Sequence, residues 1–233
     1  MNAEGHADAP GLEILRCQVG GPLLRATAET VSSAFLSVVV EPREAVTGLR
    51  HMEVLHTHDE AGADVTVYGL REYLRQATAG DLFVLPALYV GDEFVVHSIG
   101  YSQGLRDLRD AIVSQEVRGR FVQRLEADLD EVLHRRATED GGWEEAGSEM
   151  VRYGFAACEL LATGRLTLPL PEDEAAFCLA VLNGEVKPEF ALEKARMLEA
   201  QAESIVRSPL PEHPDLDAIQ AWTHQVYREV LFG

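Results

Sequence analysis

His51, His56, His58 and Asp59 lie close together in the sequence. In an extended segment His56 and His58 share a face, because strand side chains alternate. Two histidines at that spacing can contribute to a Zn²⁺ site. No third protein ligand follows at a suitable spacing, so the cluster reads as solvent-facing histidines at a strand end. Gly20-Gly21 is a second place of interest, since paired glycines allow positive φ and close approach to the backbone. Ser32-Ser33 lacks the Gly-x-Ser-x-Gly surroundings of a hydrolase nucleophile. Cys17, Cys158 and Cys178 are odd in number and far apart. They form neither a disulfide framework nor a zinc signature, and they fit a reducing, cytoplasmic setting. Cys158 and Cys178 stand in apolar helical surroundings, where a thiol is inert.

These residues need elements to position them. Leu12 to Val19 is a short apolar run and predicts a buried strand. Gly20-Gly21-Pro22 breaks it, and Leu23 to Glu29 has room for a helical turn or two. Ala34 to Val40 is β-branched and apolar, a central strand, and Pro42 follows it because proline cannot donate to a ladder. Glu44 to Leu49 predicts a short helix; Met52 to His56 and Asp64 to Val67 predict two further strands. Tyr68 to Thr78 places Leu70, Tyr73, Leu74 and Ala77 on one helical face, with Gly80 as its C-terminal cap. Leu82 to Val90 reads as a buried helix and Glu93 to His97 as a short strand.

From Gly100 onward the pattern is helical. Leu105 to Val113 and Ser114 to Arg136 are amphipathic, the latter with a stripe of Phe121, Leu125, Leu129 and Val132. Thr138 to Gly147 is an acidic, glycine-containing loop, and Ser148 to Thr163 a helix stopped by Gly164. Leu166 to Pro171 is extended, because each proline restricts its predecessor. Pro171 to Leu182, Pro188 to Arg207 and Asp215 to Leu231 are helices, with Ser208 to Pro214 a rigid linker. The fold class is therefore α+β: a tail over 1–11, a small mixed sheet over 12–99, and a helical region over 100–233 packed on it.

The whole chain has 233 residues with 20 basic and 39 acidic side chains, a formal charge of −19. Such a surface repels phosphate backbones, so a broad nucleic-acid-binding face is not expected. A basic protein partner is compatible with it. Thr138 to Asp217 holds 17 acidic and 6 basic side chains. The polar, acidic start has no apolar signal-peptide core and no run is long enough for a membrane span, so a cytoplasmic protein without a membrane partner is expected.

Several phrases carry a family resemblance. They are VGG followed by AFLSVVVEPREAVTGL (Val19 to Leu49), DVTVYGLREYLRQATAGD (Asp64 to Asp81) and LRDLRDAIVSQEVRGRFV (Leu105 to Val122). ELLATGRLTLPLP (Glu159 to Pro171) and RSPLPEHPD (Arg207 to Asp215) complete the set. Together they resemble the predicted nucleotidyltransferases of the DNA-polymerase-beta superfamily, of the phage and bacterial type with a helical C-terminal region. The resemblance implies a nucleotidyltransferase-type α+β core and a nucleotide-phosphate cradle at a Gly-Ser turn. Here Gly20 matches the glycine and Gly21 replaces the serine. It also implies an Asp-x-Asp pair holding Mg²⁺, which neutralises the triphosphate. Counted without gaps from Gly20, the pair falls on Ser32 and Ala34, neither of which carries a carboxylate.

By the same resemblance Asp64 is the third, catalytic carboxylate, and Glu29 reaches the pair only after a short slip. An Asn-Pro phrase becomes Asp81-Leu82 with Pro86 nearby. A cationic helix before Glu159 becomes Glu145, Glu149 and the retained Arg152, so Gly20, Gly21 and Arg152 are the nucleotide-binding candidates. Glutamates beside a triphosphate oppose its binding. The expectation is a degenerate nucleotidyltransferase fold with no cofactor, acting by binding a protein partner or a nucleotide. The alternative is an active Mg²⁺-dependent enzyme that moves a nucleoside monophosphate from an NTP to a nucleic acid, protein or small molecule, using Asp64 with Glu29 or another carboxylate. A purely structural subunit is a third class.

Overall fold

The computed structural model describes residues 11–25, 33–48, 52, 54–58, 62–137 and 142–233. Ser32, Glu29, His51, Asp59 and most of the expected tail lie outside the described residues. Within them the chain is α+β, with a five-stranded sheet and a larger helical part.

Strand β1 (Leu12–Gly20) is followed by a 3-10 turn at Gly21–Leu24 and then β2 (Ser33–Val40). Helix α1 is Arg43–Thr47, β3 Leu55–His58, β4 Asp64–Gly69 and β5 Val95–Ser98. The strand order is β3-β4-β2-β1-β5. β2 and β4 are parallel; the other pairs are antiparallel. Alternation in β2 divides the sheet into two faces. Leu36, Val38 and Val40 enter the main core, while Val39 joins Val65 and Val67 on the other side with Phe35 and Met52.

The helical part contains α2 (Leu70–Thr78), α3 (Gly100–Asp107), α4 (Arg109–Ile112), α5 (Glu116–Ala137) and α6 (Trp143–Thr163). It continues with α7 (Glu172–Leu182), α8 (Pro188–Ser204) and α9 (Leu216–Phe232). One apolar core runs from β1 and β2 through α5 and α6 to Ile219 and Val226 of α9. The predicted stripe on α5 holds: Phe121, Leu125 and Val132 are buried and Leu129 is half-buried.

Four sequence expectations shift. The strand predicted at Met52 to His56 instead occupies Leu55–His58, where each residue has a register partner in β4. Tyr68 and Gly69 end β4 instead of starting a helix, because Tyr68 points into the core as a strand residue. Leu82 to Val90 is a series of tight turns with a 3-10 segment at Leu85–Leu88. Pro86 cannot donate a backbone hydrogen bond, and the Asp81 carboxylate accepts from the Phe83 N–H at 2.9 Å. Finally, α6 starts at Trp143 inside the predicted acidic loop, with Glu144 and Glu145 in its first turn, where carboxylates favour the helix dipole.

Candidate functional site

The site forms where four strands come level. In β1 and β2, Val19 pairs with Ala34 and Gly20 with Ser33. In the parallel pair, Ala34 stands opposite Asp64. His58 of β3 stands opposite Asp64 from the other side. The register therefore assembles His58, Asp64, Ala34 and the end of β1 in one row. At the usual strand spacing, Asp64 lies about 10 Å from β1.

Gly20 has φ +75°, the left-handed region that favours glycine. A side chain there would have the Ala34 Cβ as its neighbour at 3.7 Å. Gly21 is buried at the start of the 3-10 turn. Downstream, the Leu23 carbonyl accepts from the Leu170 N–H at 2.9 Å and the Leu170 carbonyl accepts from Arg25 Nε at 2.8 Å. The turn is thereby fastened to the segment leading into α7.

Asp64 is exposed, and its carboxylate pairs with His58 Nδ1 at 3.0 Å. His56, on the same face, has its Nδ1 3.3 Å from the Thr66 hydroxyl. Those histidines are occupied by their β4 neighbours, and no group of three or more metal-ligating side chains occurs among the described residues. Ala34 supplies no donor atom. A hard, octahedral Mg²⁺ requires several oxygen ligands, whereas the donors on this row are one carboxylate and one imidazole. Among the described residues the set does not fit Mg²⁺.

Arg152 is held by its neighbours on α6. It is buried on α6, with its guanidinium over the Tyr153 ring at 4.6 Å and 3.6 Å from Glu149. Arg124 faces the same ring at 5.4 Å and pairs with Asp128 at 2.7 Å. Burial works against the charge of Arg152, but Tyr153 and Glu149 outweigh it and raise its pKa. No hydrogen bond or ion pair joins Arg152 to Gly20, Gly21 or Asp64 among the described residues. Glu145 is exposed on the first turn of α6. Asp81 pairs with Arg120 at 2.8 Å. Cys17, Cys158 and Cys178 are buried free thiols. Burial pushes Cys17 and Cys178 up to about 12 and Cys158 to about 11, so none is a thiolate nucleophile near neutral pH.

A polar cluster at the far end of β2 escaped the sequence reading. Glu41 is 4% exposed. It accepts hydrogen bonds from the Arg71 N–H at 3.3 Å, in the first turn of α2, and from the Tyr227 hydroxyl of α9. Gly69 lets the carboxylate in: a Cβ there would lie 2.6 Å from Glu41 Oε1. A lone carboxylate between a run of valines and a proline was the available signal. Its partner on α9 had none. No protein-family model matches this sequence, and no curated protein matches it.

Proposed function

We propose that this chain is a nucleotidyltransferase-like scaffold whose metal centre is incomplete and which acts by binding. The observation that carries the reading is the register of the sheet. Position 34, where the resemblance expects a metal-binding aspartate, is an alanine directly opposite Asp64 in the parallel pair. Gly20 stands beside it at the end of β1, with the backbone conformation a phosphate-cradling turn uses. The arrangement keeps the layout expected of such a site while offering one exposed carboxylate already paired with His58.

The partner is a basic protein segment, met through the acidic helical half. On α8, Phe190 and Met197 are 59% and 60% exposed and lie seven residues apart, on one helical face. Exposed Glu189 and Glu193 flank them. Lys187, Lys194 and Arg196 stand beside these anchors as well, so the steering charge comes from the helical half as a whole, whose acidic excess suits a basic amphipathic segment.

Isothermal titration with ATP and the other nucleoside triphosphates, in Mg²⁺ or Mn²⁺, tests the loss of chemistry. The expected result is no saturable metal-dependent binding and no difference between wild type and Asp64→Ala. Saturable binding that Asp64→Ala abolishes would overturn the degenerate reading in favour of the Mg²⁺-dependent alternative. A labelled basic amphipathic peptide tests the surface: its anisotropy should rise at low salt and fall when Phe190 and Met197 become serine.

A further inference from the structure

An apolar-floored groove lies away from the Gly20–Ala34–Asp64 row. It runs between α2 and α9 and has a volume of about 600 Å³. That falls within the range of small-molecule sites. Leu74 and Ile219 form its floor, and both are buried, at 6% and 5% exposure. Arg71, Arg75 and His224 stand along its walls. No aspartate or glutamate lines it among the described residues. In a chain with 39 acidic and 20 basic residues, such a lining is a local reversal of charge.

The walls differ in how far their charge is already used. Arg75 is held by Glu72 at 2.6 Å. Arg71 forms no ion pair among the described residues; its guanidinium is hydrogen-bonded with the Tyr227 hydroxyl. Glu41 lies beneath, with its carboxylate tied to Tyr227 and to the α2 backbone. One wall therefore offers a guanidinium that no carboxylate pairs directly among the described residues, and the floor offers apolar surface. Arg71, Arg75 and His224 in a lining without a carboxylate favour an anion over a cation as the guest.

We propose that this groove binds a small organic anion, its carboxylate or phosphate head set against Arg71 and its hydrocarbon or aryl body against Leu74 and Ile219. The site is independent of the nucleotidyltransferase-like reading and survives its failure. Octanoate is the first probe, octyl phosphate distinguishes the head group, and octylamine is the charge-reversed control. Octanoate should raise the melting temperature and shift the amide signals of residues 71–78 and 216–227 in a two-dimensional NMR spectrum. Octylamine should do neither.

Replacing Arg71 by glutamine should weaken octanoate binding about tenfold, the effect of losing one charge-assisted hydrogen bond. Thr223→Trp, which fills the groove, should abolish it. Should that variant fail to fold, Gln220→Glu at an exposed lining position should weaken binding by adding a like charge. Equal binding of octanoate and octylamine would overturn the proposal. So would amide shifts confined to the Asp64 end of the sheet, full affinity in both Arg71→Gln and Gln220→Glu, or no octanoate binding below its micellar concentration.

Discussion

The two ends of the β2–β4 parallel pair make opposite uses of similar residue types. Asp64 stands at the start of β4 with its carboxylate in solvent, balanced by one exposed histidine. Glu41 follows the last residue of β2, buried and held by a hydroxyl and a backbone N–H. Seven residues separate Ala34 from Glu41, about 23 Å of extended chain. An exposed carboxylate is free to be lost or gained with little structural penalty. A buried one is part of the architecture, because removing it strands its donors. The difference separates a surface on which chemistry can erode from one on which it cannot.

The largest expected effect comes from closing the space around Glu41. Gly69→Val places a side chain where the carboxylate sits, and overpacking of this kind costs about 1–3 kcal/mol, with the freed carboxylate adding to it. Urea denaturation measures it; an unchanged midpoint would mean that Glu41 is not locked. Tyr227→Phe removes one hydrogen bond to a carboxylate and should destabilise by about 1.5–3 kcal/mol. The same titration also reports whether α9 loosens first.

Alkaline pH gives a graded effect on the core beneath both ends. Burial raises all three thiols above the ordinary thiol value of 9.0. Between pH 9 and the folded values, the unfolded chain has released protons that the folded chain keeps. Stability is therefore intact below about pH 9 and falls as pH rises beyond it, by up to about 1.4 kcal/mol per thiol per pH unit. Denaturation midpoints at successive alkaline pH values, with Cys17→Ala flattening the slope, check the sign. At the exposed end, Asp64→Ala should change stability by less than about 0.5 kcal/mol. Ala34→Asp, made together with Ser32→Asp, should raise Mn²⁺ affinity above that of the wild type. Failure of that gain would break the comparison by showing that position 34 does not face the same cleft as Asp64.

Strands β1, β2 and β4 were legible because each is a short β-branched or apolar run bounded by glycine, proline or a polar stretch. The faces of α2 and α5 were legible from their spacing. The Leu82 to Val90 segment was not: buried helices and buried turns share the same apolar composition, and the turn is decided by Pro86 and by the Asp81 carboxylate bond to Phe83. Of the candidate site, the positions of Gly20, Ala34 and Asp64 were readable one at a time, but their alignment depends on strand register. Arg152 was expected near phosphates; its neighbours Tyr153 and Glu149 were not foreseen. Helical spacing alone does not tell which buried neighbour a long side chain will meet. The role of Glu41 was hidden for a similar reason, since its decisive partner lies 186 residues away.

That separation has a kinetic consequence. Bringing Glu41 and Tyr227 together closes a loop of 186 residues, and the entropy of closing it in an otherwise unstructured chain is roughly 5 kcal/mol. The contact becomes affordable only after the sheet and α5–α6 have shortened the effective loop, so α9 docks late. By the same reasoning it leaves early. Amide exchange along Leu216–Phe232 should therefore report partial opening of the molecule well before β1 and β2 exchange.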